Sequence, residues 1–313
     1  INAGSVTGGN ITLAEGATNN TVAIPTSTVN TKILTISGLT ASNKVYNATT
    51  AASLTGTAAL VGVETGDIPN VTLGGSASAS FASASVGTGI SVTVSGYTLS
   101  GSAAGNYSLT QPAGLTADIT AKGLTISGLT ADNKVYNATT SATLTGTAAL
   151  VGVEAGDVSN VTLGGSAAAS FASAGVGTGV AVTVTGYSIS GTAATNYTLA
   201  QPTGLSADIT AKGLTISGLT ADNKVYNATT AATLSGTAAL VGVEAGDVAN
   251  VTLGGTAVAS FATSGVGTGI AVSVTGYSIS GTAATNYSLS QPAGLTADIT
   301  AKGLTISGLT ADN

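Results

Sequence analysis

The chain is 313 residues long and carries only 20 charges, 7 basic and 13 acidic, for a net charge of −6. Cys, His, Met, Trp and Arg are absent, which excludes zinc, haem and iron–sulfur centres and any nucleophile activated by His. The acidic balance, without a basic run, argues against nucleic acid, and no long apolar run suggests a membrane-spanning helix.

What remains is strand composition. Hydrophobic residues make up 43% of the chain, chiefly Val, Leu and Ile, with 9 Tyr, 3 Phe and Thr throughout. No disulfide can reinforce the fold. That fits either a chain that never needed one or a secreted bacterial chain that avoids thiols. The first residue is Ile, no leader-like segment is visible, and the pattern stops in mid-repeat, so the chain reads as a piece of something longer.

In chain order, residues 1–31 match nothing later. Their Gly/Asn/Thr texture fits the tail of an upstream β-helix or the last strands of a preceding module. Repetition then begins. KILTISGLTASNKVYNATT starts at Lys32, KGLTISGLTADNKVYNATT at Lys122 and Lys212, and KGLTISGLTADN at Lys302. The steps 122−32, 212−122 and 302−212 are each 90. The predicted organisation is three repeats, 32–121, 122–211 and 212–301, with the start of a fourth at 302–313. The second and third repeats differ at about 13 of 90 positions, nearly all exchanges among Ser, Thr, Ala and Val or between Val and Ile. A 90-residue period is too long for a solenoid coil and suits one small domain.

Within the second repeat the period is two. Leu124 and Ile126 alternate with Thr125 and Ser127, Val161 and Leu163 flank Thr162, Val182 and Val184 flank Thr183, and Leu205, Ala207 and Ile209 alternate with Ser206 and Asp208. Each run predicts a strand with one buried face. Glycines such as Gly128, Gly146, Gly165 and Gly179 mark turns or bulges between them. Seven to eight short strands per repeat predict an all-β, Ig-like sandwich. A β-grasp-like module is the alternative if SAAASFASA is helical. Apolar parity flips at Gly186, and likewise at Gly96 and Gly276, which predicts a glycine bulge.

The join ADITAKGLTISGL contains no linker, and Ile209 is odd-numbered where Leu214 and Ile216 are even. It predicts a stiff tandem array of units, each closing its own core.

Candidate chemistry is sparse. Glu154 and Asp157, with counterparts Glu64/Asp67 and Glu244/Asp247, could be an acid–base pair or calcium ligands, but the loop offers few oxygens and no sugar cleft, so a solvated turn is expected. Lys134 beside Asn133, with Asn196 elsewhere, raises a Lys–Asn isopeptide crosslink. The plainer reading of the recurring lysines is protection of edge strands. Asn137, Asn160 and Asn196 stand in Asn-x-Thr sequences, which are glycan acceptors in some exported proteins. Tyr136, Tyr187 and Tyr197 could stack on sugars, although burial with the hydroxyl at the rim is the expected role. No catalytic, cofactor-binding or metal-binding residue is predicted. The weakly charged Thr/Ser/Ala surface invites side-by-side association.

KVYNATT, followed by SFASAGVGTGV, GTAATNYTL and ADITAKGLTI, resembles the YDG repeat, and the related MBG repeat, of large bacterial haemagglutinin-like surface adhesins. Lys134, Tyr136, Asn137, Ala138 and Thr139 occupy the opening motif, with Asn-Ala where the family has Asp-Gly. The resemblance implies tandem β-modules in the stalk of an exported adhesin, with no catalytic site. The expected function is a non-enzymatic structural stalk or filament segment at the bacterial surface. A multivalent glycan- or mucin-binding module is the alternative. Expected partners are neighbouring repeats, like chains laterally or head-to-tail, and host or matrix glycans.

Overall fold

The computed structural model describes residues 30–309, and these are all-β. The first repeat supplies β1 (Lys32–Ala41), β2 (Lys44–Val45), β3 (Leu54–Val61), β4 (Thr72–Phe81), β5 (Gly87–Ser100), β6 (Tyr107–Leu109) and β7 (Leu115–Thr120). The second supplies β8 (Lys122–Ala131), β9 (Lys134–Val135), β10 (Leu144–Val151), β11 (Thr162–Phe171), β12 (Gly177–Ser190), β13 (Tyr197–Leu199) and β14 (Leu205–Thr210). The third supplies β15 (Lys212–Ala221), β16 (Lys224–Val225), β17 (Ala231–Ala232), β18 (Leu234–Val241), β19 (Thr252–Phe261), β20 (Gly267–Ser280), β21 (Tyr287–Leu289) and β22 (Leu295–Thr300). Seven or eight strands per repeat is the number expected from the alternation. The upstream tail expected over residues 1–31 lies, up to residue 29, outside the described residues. Residues 302–309 repeat the sequence of β8 but form no strand.

Each repeat builds two sheets. In the second, β8 is the centre of a three-stranded sheet, antiparallel to β10 and parallel to β13. The other sheet runs β11-β12-β14-β9, with β12 antiparallel to both neighbours and β14 parallel to β9. The first and third repeats keep the same order, and β17 adds a fifth strand beside β19 in the third. SAAASFASA is strand β11 and the bend after it, and the helical turns are 3-10 segments of three to six residues. The β-grasp alternative therefore fails: no helix packs on a sheet among the described residues.

The period-two reading fits the burial. Leu124, Val182, Val184, Ala207 and Ile209 are buried, while the intervening Thr and Ser are exposed or half-buried. The parity flip also has its physical cause. Gly186 has φ 91° and opposes the extra residue carried by β11 between Gly165 and Ala168. Tyr187 and Ile189 thereby return to the inner side on which Val182 and Val184 lie. The β8–β10 hairpin repeats the device with Gly128 and Gly146.

The turn after β9 is an Asx turn. Asn137 Oδ1 accepts from the Thr139 N–H at 3.2 Å and the Thr139 hydroxyl at 2.9 Å. The left-handed residue is Ala138, φ 58°, with Ala48 and Ala228 equivalent. An L side chain is strained there. Ala138→Gly is expected to stabilise the second repeat by about 0.5 kcal/mol, the relief of strain slightly exceeding the entropy glycine adds to the unfolded chain. Urea unfolding of the variant against wild type checks it.

Packing divides the chain into two compact units. Among the described residues, one holds 30–43 with Thr50–Ser83 and Gly89–Asp118, and the other Lys44–Thr49, Ala84–Thr88 and 119–309. In the first, Leu34, Val71 and Tyr107 centre a core with Leu60, Leu99 and Leu109 around it. In the second, Tyr136, Phe171, Val182, Val184, Ala207 and Ile209 of the second repeat form one continuous cluster with Leu214, Val251, Ala283 and Tyr287 of the third. A separate cluster of Phe261, Val272, Ala297 and Ile299 fills the far half of the third repeat. Here the structure departs from the expectation that each unit closes its own core. The four-stranded half of the second repeat shares its core with the three-stranded half of the third. Ala211 is the single residue between β14 and β15, so Ile209 and Leu214 enter this common core from either side of the repeat boundary.

Candidate functional site

The joint between the second and third repeats is built around Asp247. β9 pairs in parallel with β14, and the Tyr136 N–H donates to the Thr210 carbonyl at 2.8 Å, which fixes the Tyr136 backbone at the repeat boundary. Asp247 closes the 3-10 turn Ala245–Asp247, whose backbone is pinned by the Asp247 N–H on the Glu244 carbonyl at 2.9 Å. The Tyr136 and Tyr287 hydroxyls both donate to Asp247 Oδ2, each at 2.7 Å. The Tyr287 oxygen in turn accepts the Glu244 N–H at 3.1 Å. The two rings meet edge-to-face, with centroids 5.3 Å apart and planes at 79°, a favoured aromatic geometry. Around them Lys212 Nζ pairs with Glu244 Oε1 at 2.5 Å, and Asn286 Oδ1 accepts the Val176 N–H at 2.9 Å.

The arrangement recurs within the same unit 90 residues earlier. Tyr46 and Tyr197 each donate to Asp157 Oδ2 at 2.7 Å, and their rings lie 5.3 Å apart at 77°. Lys122 pairs with Glu154 at 2.5 Å, and Asn196 Oδ1 accepts the Val86 N–H at 3.0 Å. At the two remaining positions only half of the joint is seen. Tyr226 is 39% exposed where Tyr46 and Tyr136 are 5% exposed. Asp67, half-buried, accepts the Tyr107 hydroxyl at 2.8 Å, and Lys32 pairs with Glu64.

Burial raises the phenol pKa of these tyrosines, and donation to the aspartate raises it further, because ionisation would set two negative charges together. Tyr46, Tyr197 and Tyr287 are pushed up to about 12, and Tyr136 and Tyr107 also move upward. A group whose folded pKa is raised contributes stability that is whole below its unfolded value, 10 for a phenol, and is lost as pH rises through the folded value. Unfolding is therefore expected to ease between about pH 10 and pH 12. Thermal melts across that range, with phenolate absorbance recorded in parallel, check it. Tyr197→Phe removes one of the late-ionising phenols.

The sequence-picked residues separate accordingly. Asp157 and Asp247 are buried at 9% exposure, which corrects the solvated-turn expectation: the acceptor sits between two tyrosines. Tyr136 and Tyr197 are buried in the joints, which removes their rings as platforms for a sugar; Tyr187 is half-buried, its backbone clamped by Gln201 at 3.1 and 2.9 Å. Lys134 is not brought to Asn133 or Asn196. Its amine donates to Asn137 Oδ1 at 3.0 Å and the Thr139 carbonyl at 2.5 Å, and lies 5.1 Å from the Phe171 ring centre. Burial there lowers its pKa. Asn133 instead accepts the Asp208 N–H at 2.7 Å. Lys134 stands on an edge strand, β9, as the edge-protection reading expects, whereas Lys122 stands on β8, the centre of its sheet, where it pairs with Glu154, so the reading fails there. Asn160 is exposed and Asn196 buried. Among the described residues no three of His, Cys, Asp and Glu group to hold a metal, and no helix is long and apolar enough to cross a membrane.

No curated protein and no solved structure matches this chain. A family model described as the YDG domain matches it three times, at residues 30–114, 120–204 and 210–294. Each match spans the Lys–Tyr opening, the 3-10 turn with its aspartate and the Asn–Tyr strand that together make the joint. The chain belongs to the YDG domain family and carries three tandem copies.

Proposed function

We propose that this chain is a non-enzymatic structural segment of an extracellular bacterial adhesin, a stiff stalk or filament portion whose repeats carry load in series. The observation that supports the reading is the joint between the second and third repeats, where a shared core and the Tyr136–Asp247–Tyr287 contact replace a linker. A hinge would need a flexible segment, and Ala211 alone leaves little freedom. Tension along the array acts first on hydrogen-bonded strands and on two tyrosine–carboxylate bonds per joint, and charge-assisted bonds of this kind are stronger than neutral ones. The thiol-free composition and the resemblance to adhesin repeats support an exported setting.

Small-angle scattering of the 313-residue chain tests the reading. A stiff array of three units is expected to show a radius of gyration of about 30 Å, against about 20 Å for one compact body of this length. The smaller value, or a profile that demands bending at the joints, overturns it.

A further inference from the structure

Two segments of the first repeat, Lys44–Thr49 and Ala84–Thr88, pack with the second repeat rather than with the rest of their own. They carry Tyr46, which donates to Asp157, and Val86, whose N–H donates to Asn196 Oδ1 at 3.0 Å. The same two points recur one repeat later, Tyr136 on Asp247 and the Val176 N–H on Asn286 Oδ1 at 2.9 Å. Their spacing is 40 residues at both joints, 86−46 and 176−136. Asn286 touches both points. It ends the 3-10 turn Ala284–Asn286, pinned by its N–H on the Ala283 carbonyl at 3.0 Å, and so stands directly before Tyr287. Its oxygen takes the Val176 N–H. Burial and the Asp247 carboxylate raise the Tyr136 phenol pKa, and the Asn286 amide acts against them as a donor to that phenol. Asn196 does the same at Tyr46. The turn that Asn286 reads is shaped by its own bond, the Gly175 N–H on Ser173 Oγ at 3.1 Å. What is read there is backbone: Ser85 stands in the first repeat where Gly175 stands in the second, and both turns reach their asparagine.

We propose that Asn286, like Asn196, is the residue that determines which surface a repeat accepts as its neighbour: one that presents a tyrosine hydroxyl and a turn N–H 40 residues further on. The partner it fits is any repeat carrying these two points, whatever side chains surround the turn. Asn286 acts as a positioning residue. Asp247 makes the charge-assisted bond and constrains one point. The bond from a second loop constrains the turn about that point. A side-chain amide has distinct donor and acceptor ends, so engaging both fixes one orientation of the pair. The inference rests on the stiff joint proposed above and adds the residue that sets its angle.

Spin-label distances across the joint of the full chain test this. The chain has no Cys, so nitroxides on Thr185→Cys and Thr275→Cys, exposed positions of the second and third repeats, report one distance. With the native joint a single narrow distribution is expected. Asn286→Ala is expected to lose it and give a broad one, with the strand signal in circular dichroism unchanged. Asn286→Asp keeps the size and the acceptor but loses the donor, and brings a second carboxylate to the hydroxyl that serves Asp247. Its distribution is expected to be broad at pH 7 and narrow again below about pH 5, where the new carboxyl takes up a proton and regains a donor. A residue that merely fills space would show no such pH dependence. Val176→Ala and Gly175→Ser are expected to leave the distribution narrow, because the N–H is read and the side chain is not. A narrow distribution in Asn286→Ala, with none of the pH dependence in Asn286→Asp, overturns the proposal. So does broadening in Val176→Ala, which would give the selection to the side chain. A broad distribution in the labelled chain with its native joint would instead overturn the stiff joint itself, and this inference with it.

Discussion

Asp247→Ala is expected to destabilise the third repeat by about 3 kcal/mol and to uncouple its melting from that of the second. The carboxylate accepts two buried hydroxyls on one oxygen. Its removal leaves Tyr136 and Tyr287 with donors that water does not easily reach, and each unsatisfied group costs about 1–3 kcal/mol, offset in part by no longer burying a charge. The position matters more than the sum. Tyr136 and Tyr287 belong to the one hydrophobic cluster that spans the repeat boundary, so loosening their contact opens the shared core. Calorimetry of wild type is expected to show the second and third repeats melting together, and the variant to show two transitions. Asp67→Ala, which removes the acceptor of one hydroxyl at a half-buried site, is expected to cost about 1 kcal/mol. Lys212→Ala, at an ion pair about 30% exposed, is expected to change stability by less than about 1 kcal/mol. A double-mutant cycle of Tyr136→Phe with Asp247→Asn isolates the bond across the boundary. Coupling near zero would mean that the ring contact alone holds the joint.

The strands were legible because their cause is local. Alternation of Val182 and Val184 with Thr183 specifies a face, and the parity flip at Gly186 located a bulge that the backbone carries. The joint was not legible, because its cause is not local. Tyr136 and Asp247 are 111 positions apart, one 90-residue period and 21 more. Every feature of a repeated sequence recurs at the period, so periodicity alone does not separate a bond within a repeat from one to the next. Asp157 and Asp247 looked like turn carboxylates because Gly and Glu flank them, and a turn they are. They are buried because a neighbouring repeat packs onto the turn. The clue available in advance was the join itself. Ile209 and Leu214, on opposite parities and one short segment apart, both needed a core, and a shared core meets both demands.

Gly186→Ala is expected to be strongly damaging to the second repeat, costing about 4 kcal/mol or more. Two effects add. At φ 91° an alanine is held where L residues are strained, which costs about 1–2 kcal/mol by itself. The added Cβ would also stand 2.2 Å from the Ser166 carbonyl oxygen, a backbone atom that cannot turn away as a side chain would. The hairpin would have to part at the bulge, between the strand segments that carry Val184 and Tyr187 into the core. Gly179→Ala separates the two effects: its φ is 59° but nothing lies within 4 Å of the added Cβ, so the conformational cost alone, about 1 kcal/mol, is expected. Gly213→Ala, with open space and no left-handed φ, is expected to be neutral or slightly stabilising. Urea unfolding of the three variants orders them as Gly186, Gly179, Gly213. Equal losses at Gly186 and Gly179 would show that the close approach of the two strands does not set the requirement for glycine at the bulge.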